Sequence, residues 1–410
     1  MLKSDPEVSL APMGELRPEN MEASPAPIVV VGSGLAGYGV LRELRRLDPA
    51  VPLVLVSADA GHFYSKPGLS TALAKRKSAP ELVTSRAEAM ASQLKLKLME
   101  HVHVHSIHPE DHYITTSAGK VSYAKLILAL GANPVPLALG GDAAAQVRPV
   151  NHIDDYADFR ERLEGRRHVA IIGAGLVGCE FANDLSAAGY VASVIDPMAL
   201  PMPLLLPPPI GEALKAALAA CGVDWHLGRS VQAVDHCGAG FALSLSDGTV
   251  LQADLVLSAV GLRSNVELAR TAGLATHRGI CVDANGRSSD PDIYALGDCA
   301  EYPTGVAHYV TPIMSAARAI AAAATGAPTP MRMPVLSVVV KTTAYPIALL
   351  PVPTAIEGNW EDMGSDSAGF MFGYRDHGGR LVGYVLTGAR CPDRPKLDSH
   401  IAAAISGEAQ

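Results

Sequence analysis

Short apolar runs that stop abruptly at glycine set the pattern of the first half of this chain. Pro27 to Val31 (PIVVV) reads as a buried strand that enters Gly32-Ser33-Gly34-Leu35-Ala36-Gly37 and then a helical stretch from Tyr38 to Leu47. A second strand, Leu53 to Val56, follows. The arrangement returns at His168 to Ile172, Gly173-Ala174-Gly175-Leu176-Val177-Gly178, a helix through Ser186 and a strand from Val191 to Ile195. The pattern predicts two βαβ dinucleotide units.

Between the units, Lys125 to Leu130 before Gly131 reads as a parallel strand ending at a turn, and Asp254 to Val260 before Gly261 is its counterpart after the second unit. A strand from Ile293 to Leu296 ends at Gly297-Asp298, and an alanine-rich helix is expected from about Pro312 to Ala324. From Met333 to Ile405 the sequence reads as strands (Val335 to Val340, Gly369 to Tyr374, Leu381 to Leu386) and a short helix. Prolines at 201, 203, 207, 208 and 209 mark an irregular loop. The expected fold is α/β, with two Rossmann-like dinucleotide-binding domains and a small C-terminal α+β domain.

Composition narrows the field. At 410 residues the chain exceeds the usual size of a single core. A net charge of −8 argues against nucleic acid as partner. The longest apolar stretches, such as Ala316 to Ala324, carry an arginine or are too short to span a bilayer, so no membrane insertion is expected. Residues 1–26 lack the apolar core of a secretion signal and read as a flexible extension. Six scattered cysteines match neither a metal knuckle nor a disulfide scaffold and fit a reducing cytoplasm.

A pyrophosphate needs backbone N–H groups, the positive end of a helix and no side chain in its way. Gly32, Gly34 and Gly37, and again Gly173, Gly175 and Gly178, meet that need: tight turn, close approach, helix packing. The acid ending the second strand of each unit is the expected ribose ligand. In the second unit that is Asp196. The following Pro197-Met198-Ala199 offers no cation for a 2′-phosphate, which favours NADH over NADPH. In the first unit the nearest carboxylate is Asp59, whose alternative reading is a plain turn residue.

Gly297-Asp298 after Ile293 to Leu296 resembles the closing FAD fingerprint of the two-dinucleotide flavoprotein reductases. Within that family three further segments are similar to the rubredoxin reductases of the alkane-oxidation type. They are Phe63-Tyr64-Ser65-Lys66-Pro67-Gly68-Leu69-Ser70, Gly178-Cys179-Glu180-Phe181-Ala182-Asn183-Asp184-Leu185, and Val340-Lys341-Thr342. The resemblance runs from about Pro27 to the C-terminal domain. It implies an FAD-binding domain in two parts (27–140 and 265–330), an NAD-binding domain (141–264) and the C-terminal α+β domain (331–410), after the extension 1–26. It implies FAD on Gly32 to Gly37 (Ser33, Leu35 and Ala36 included), Ala129 and Gly131, with Asp59 near the adenosine ribose and Val104 offering backbone to adenine. Asp298 falls on the ribityl chain, Val310 at the pyrimidine edge, and Lys66, Glu180 and Lys341 beside the isoalloxazine as catalytic candidates; read without the resemblance, Glu180 also suits a first-turn acid complementing its helix dipole, and Lys66 and Lys341 a solvated surface. NADH falls on Gly173, Gly175, Leu176, Val177, Gly178, Asp196, Val260 and Gly261. Glu180, on the first turn of its helix, is expected to pair with Lys66. A helix starting near Val310 would point its positive end at the flavin edge where charge gathers on reduction.

The implied activity is hydride transfer from NADH to flavin N5, followed by single electrons to rubredoxin, which would feed an alkane hydroxylase or similar oxygenase. Ser57 to Thr84, where disulfide reductases and peroxidases of this fold carry their redox cysteines, contains none, so electrons would leave directly from the flavin. No iron-ligating cysteine spacing is present, so the acceptor's metal would sit on another chain. Alternatives are a ferredoxin reductase of an oxygenase system, an NADH oxidase or peroxidase, and a flavin-bound signalling protein. Two further clusters stand out. His101, His103 and His105 alternate with valines and would share one strand face. Arg42, Arg45 and Arg46 would either steer an acidic carrier or form a solvated helix face.

Overall fold

The computed structural model describes residues 26–303, 305–306, 310–332, 335, 337–353 and 356–406. The extension expected over residues 1–26 lies outside the described residues except for Ala26. Ile28–Val31 forms the central strand of a five-stranded parallel sheet, flanked by Leu53–Val56 and then Lys97–Met99 on one side and by Lys125–Leu128 and Ile293–Ala295 on the other. All four residues of Ile28–Val31 are buried, as unbroken β-branched runs require of a strand covered on both faces. The strand Ile293–Ala295 reaches this sheet only after the chain has built a second one.

Helix Leu35–Leu47 lies against helix Val310–Ala324. Small residues make the close approach possible: a Cβ added to Gly39 would stand 3.8 Å from the Ala317 Cβ. The second sheet repeats the plan with Arg148–Pro149, Leu255–Ser258, His168–Ile172, Val191–Asp196 and Val223–Leu227, all parallel. Ala132–Pro134 and Leu262–Ser264 pair antiparallel where the chain leaves the first sheet and returns to it.

Each parallel sheet carries a three-stranded antiparallel insert that the hydrophobic pattern did not announce: Val104–His108, Tyr113–Thr116 and Gly119–Ser122 in one, Val231–Cys237, Gly240–Leu245 and Val250–Ala253 in the other. The first insert corrects the histidine reading. His101 stands in a left-handed turn at φ 55° and the strand begins only at Val104, so the three histidines do not share one strand face.

The C-terminal segment is a five-stranded antiparallel sheet in the order Val338–Val340, Ile347–Leu350, Leu381–Thr387, Met371–Asp376, Gly358–Asp362, closed by helix Arg394–Ser406. Its Val340, Ile347, Leu349 and Val385 share one apolar cluster with Val169, Ile171, Phe181 and Leu185 of the second unit. Leu69, Ala72 and Leu73, which follow the Lys66 segment, complete that cluster. Three stretches far apart in the chain therefore meet at one seam.

Candidate functional site

The six turn glycines divide by what a side chain would strike. At Gly32 (φ 109°) a Cβ would stand 2.2 Å from the Ala129 carbonyl oxygen, and at Gly37 it would stand 1.8 Å from that of Gly32. Gly173 (φ 111°) and Gly178 repeat this, with 2.6 Å to the Ala259 oxygen and 1.9 Å to the Gly173 oxygen. At the middle glycines, Gly34 and Gly175, a Cβ would meet no protein atom within 4 Å. Each middle glycine caps a helix start, at Leu35 and Leu176, and opens onto free space. That combination of bare N–H groups, a helix N-terminus and no obstruction suits a pyrophosphate in both places.

Around the first turn, Asp59 is fully engaged. One carboxylate oxygen accepts from Ser33 Oγ at 3.0 Å, Ser57 Oγ at 2.5 Å and the Gly61 N–H at 2.7 Å, and the other meets His152 Nε2 at 2.8 Å. Burial alone would raise the Asp59 pKa, but the hydrogen bonds from His152, Ser57, Gly61 and Ser33 together hold it well below the usual carboxylate range. His152 moves the other way, raised by its bond to Asp59 against the effect of burial. His152, which sequence reading passed over, also caps helix Ile153–Arg162 while its ring is neutral, Nδ1 accepting from the Asp154 N–H; once protonated, that nitrogen faces the Asp154 carboxylate instead.

Around the second turn, Asp196 ends its strand and accepts from the Ala174 N–H at 2.7 Å and the Met198 N–H at 2.8 Å. The carboxylate thus braces the glycine turn against the strand end where a ribose is expected. Val260 and Gly261 (φ 103°) lie across that turn, with the Val260 nitrogen 3.2 Å from a Cβ placed on Gly173. Leu176 is half-buried and Val177 faces outward, 43% exposed.

The seam between the units holds the charged groups. Glu180 is 1% exposed, and its carboxylate accepts from the Lys341 N–H at 3.0 Å, Lys341 Nζ at 2.5 Å and Ser70 Oγ at 2.6 Å. Lys341 Nζ also lies 3.1 Å from Ser70 Oγ. The expected Glu180–Lys66 pair is therefore corrected: the lysine that reaches Glu180 comes from the C-terminal sheet. Lys66 stands apart, half-buried, with burial lowering its pKa and the carboxylates of Asp298 and Asp155 opposing that shift. A half-buried lysine attended by carboxylates only at longer range has a charge left to offer.

Asn183 and Asp184 follow Glu180 on the same helical face. Asp184 accepts from the Leu73 and Ala74 N–H groups at 2.8 and 3.1 Å, while Asn183 Oδ1 accepts from the Ala344 N–H at 3.0 Å and its Nδ2 donates to Thr343 at 3.1 Å. One helix of the second unit thereby pins both the Lys66–Ser70 segment and the Lys341 turn. The sequence signal was available: three buried polar residues at i, i+3 and i+4 of an otherwise apolar helix need partners.

The remaining predicted positions fall as follows. Asp298 sits in the 3-10 turn Gly297–Cys299, its carbonyl accepting from Ser264 Oγ at 2.6 Å. Ala129 is buried under Gly32, and Gly131 (φ 68°) accepts from the Asn265 N–H through its carbonyl. Ala36 packs at Gly297, where an added Cβ would come within 2.8 Å of its methyl. Val104 opens the first insert, and Val310 opens helix Val310–Ala324. The thiol of Cys179 is buried, which pushes its pKa up, and is bonded to the Ala174 carbonyl, as suits a packing role. Of the arginine cluster, Arg45 donates to the Leu94, Asp48 and Lys95 carbonyls, Arg42 lies 4.3 Å over the Phe63 ring and Arg46 pairs with Glu43. These contacts favour the structural reading of that cluster over carrier steering.

The family description "pyridine nucleotide-disulphide oxidoreductase" matches residues 26–323, and "rubredoxin binding C-terminal domain" matches residues 330–399. A rubredoxin-NAD(+) reductase of Alcanivorax borkumensis is 42% identical over 92% of this chain and 99% of its own length. Another of that name from Acinetobacter baylyi is 41% identical over 88% of this chain and 94% of its own. Among solved structures, the ferredoxin reductase for the CYP199A2 system of Rhodopseudomonas palustris superposes with a TM-score of 0.83 at 27% identity, covering 90% of this chain and 92% of that one.

Proposed function

This chain belongs to the pyridine nucleotide-disulphide oxidoreductase family, among the rubredoxin-NAD(+) reductases, and from that premise we propose that it carries electrons from NADH through bound FAD to rubredoxin. The observation that carries the reading is the pair of open glycine cradles, one in each parallel sheet, together with two lysines near the seam and a Ser57 to Thr84 stretch without cysteine. The first cradle, with Ser33, Ala36, Asp59, Ala129, Gly131 and Asp298, would hold FAD; the second, with Asp196, Val260 and Gly261, would hold NADH. Bound FAD supplies the chemistry of accepting a hydride and passing electrons on singly.

The chain's own part is positioning and electrostatics. Lys66 brings a positive charge with carboxylates only at a distance, which favours negative charge arriving beside it. Glu180 fixes Lys341 so that the second lysine is held in the seam. The N-terminus of helix Val310–Ala324 adds the positive end of a dipole. Since Ser57 to Thr84 offers no thiol, the chain has nothing there to take electrons over as a disulfide. The rubredoxin-binding segment contributes Lys341 itself, so acceptor docking and the buried charge pair share one sheet.

The six cysteines, all free thiols, support action in a reducing cytoplasm. Among the described residues no helix is long and apolar enough to cross a membrane. The test is anaerobic rapid mixing of FAD-loaded protein with NADH or NADPH, then with rubredoxin or a ferredoxin. Fast reduction by NADH and faster onward transfer to rubredoxin support the proposal. A preference for ferredoxin, or rapid peroxide formation without a carrier, would overturn it.

A further inference from the structure

The strand Val223–Leu227 lies at the outer edge of the second sheet and ends level with Asp196. Past it the chain turns back along the Asp196 corner: Gly228 donates its N–H to the Met198 carbonyl, and Arg229 donates its own to the Asp196 carbonyl at 3.1 Å. An arginine is thus built into the strand-end corner from a segment 33 residues away in sequence (229 minus 196). The stretch directly after Asp196 contains no cation, so this arginine escapes a reading of the local sequence.

Its side chain is tied down. Arg229 Nε pairs with Asp247 at 2.9 Å, and Nη1 lies 3.3 Å from His226 Nδ1. His226 is held in turn by Asp224 through Nε2 at 2.8 Å. Asp247 occupies the tight turn between Gly240–Leu245 and Val250–Ala253, so the insert supplies the anion that holds the guanidinium. Both members of the Arg229–Asp247 pair are 37% exposed, which leaves the arginine able to turn to another anion if its own were removed.

Resting on the reading of the second cradle as the NADH site, we propose that Arg229 is a masked cation at the adenosine end of that cradle. Its neutralisation by Asp247, together with the Asp196 carboxylate, closes the corner to a 2′-phosphate and fixes the choice of NADH. Asp196 contributes repulsion and a ribose acceptor; Asp247 removes the attraction that a guanidinium would otherwise give to phosphate. The antiparallel insert of the second unit then acts as a specificity element as well as a cover for the sheet.

The test is calorimetric binding of 2′,5′-ADP, 5′-AMP and NADH to the FAD-loaded parent and to three cumulative variants. These are Asp196→Ser, Asp196→Ser with Asp247→Asn, and both of these with Arg229→Ala. The expected result is a modest gain in 2′,5′-ADP affinity in the first, a further gain of about tenfold in the second, the scale of one charge-assisted contact, and loss of that gain in the third. Binding of 5′-AMP should stay level across the last two. If the triple variant binds 2′,5′-ADP as tightly as the double, Arg229 is not the phosphate ligand and the inference falls while the cradle stands. If the parent itself fails to bind NADH, the reading of the cradle falls first.

Discussion

Replacing Lys341 by methionine and Glu180 by glutamine should not cost the same, because the two partners differ in their access to water. Glu180 is 1% exposed, whereas the Lys341 side chain is 32% exposed. In the Lys341→Met variant the carboxylate stays buried with the Ser70 hydroxyl and the backbone N–H at position 341, but without a countercharge. Stranding a fully buried charge costs about 3–5 kcal/mol, and the opening beside Lys341 lets water recover part of that, so a loss of about 2 kcal/mol is expected. In Glu180→Gln the lysine swings to solvent and the amide oxygen keeps one of its donors, so the loss is about 1 kcal/mol. At roughly 1 °C per kcal/mol for a chain of 410 residues, melting followed by circular dichroism should drop about 2 °C in the first case and about 1 °C in the second. Added to the Glu180→Gln variant, Lys341→Met should cost almost nothing further. Equal costs of Lys341→Met in the parent and in that variant would refute the pairing, and a larger loss for Glu180→Gln would refute the burial argument.

Three further outcomes follow from the same geometry. Gly34→Ala should fold with an unchanged melting temperature yet bind FAD at least about tenfold more weakly, since its methyl enters open space, whereas Gly37→Ala, 1.8 Å from a carbonyl oxygen, should fail to fold; solubility and flavin titration distinguish them. His152→Asn keeps a helix cap but removes the charge facing Asp59, and with both side chains about one-third exposed the cost is about 1 kcal/mol. The raised His152 pKa makes that stabilisation complete below about pH 6.5 and lost as pH rises through the folded value, while the lowered Asp59 pKa makes its share present above about pH 4 and lost as pH falls further. The melting gap between parent and variant should therefore be widest between about pH 4 and 6.5 and narrow toward pH 9; a gap that widens there contradicts the sign. Arg45→Ala frees three carbonyls and should lower stability by about 1–2 kcal/mol while leaving the salt dependence of acceptor reduction unchanged, which stopped-flow at several ionic strengths would check.

Much of the fold could be read from local pattern because the parallel strands are short, fully buried and punctuated by glycine. Leu53–Val56 and His168–Ile172 fall where the apolar runs begin and end. The inserts escaped because antiparallel strands with one wet face, such as Gly119–Ser122, carry almost no apolar signal. In the C-terminal sheet Gly358–Asp362 (GNWED) holds its place as an edge strand with tryptophan as its sole large apolar residue. Gly369, expected to begin a strand, has φ 148° and a backbone packed against Thr387, so the strand starts at Met371.

The glycine cradles were legible for the same reason, since steric demands on consecutive residues leave a local trace. The charge pairs were not. Glu180 and Lys341 are 161 residues apart, Asp59 and His152 are 93 apart, and spacing carries no information about which lysine closes on which acid. Ser70 completes the Glu180 site with its hydroxyl, and nothing in the Phe63 to Ser70 segment marks it for that role.

Bound flavin is proposed to be the sole redox centre between nicotinamide and acceptor. An anaerobic titration of FAD-loaded protein with NADH, followed by absorbance, measures this most directly. The expected result is complete bleaching of the flavin at about one equivalent of NADH per flavin, with reoxidation on adding rubredoxin. Uptake of about two equivalents, or a protein that holds no flavin after reconstitution, would contradict it.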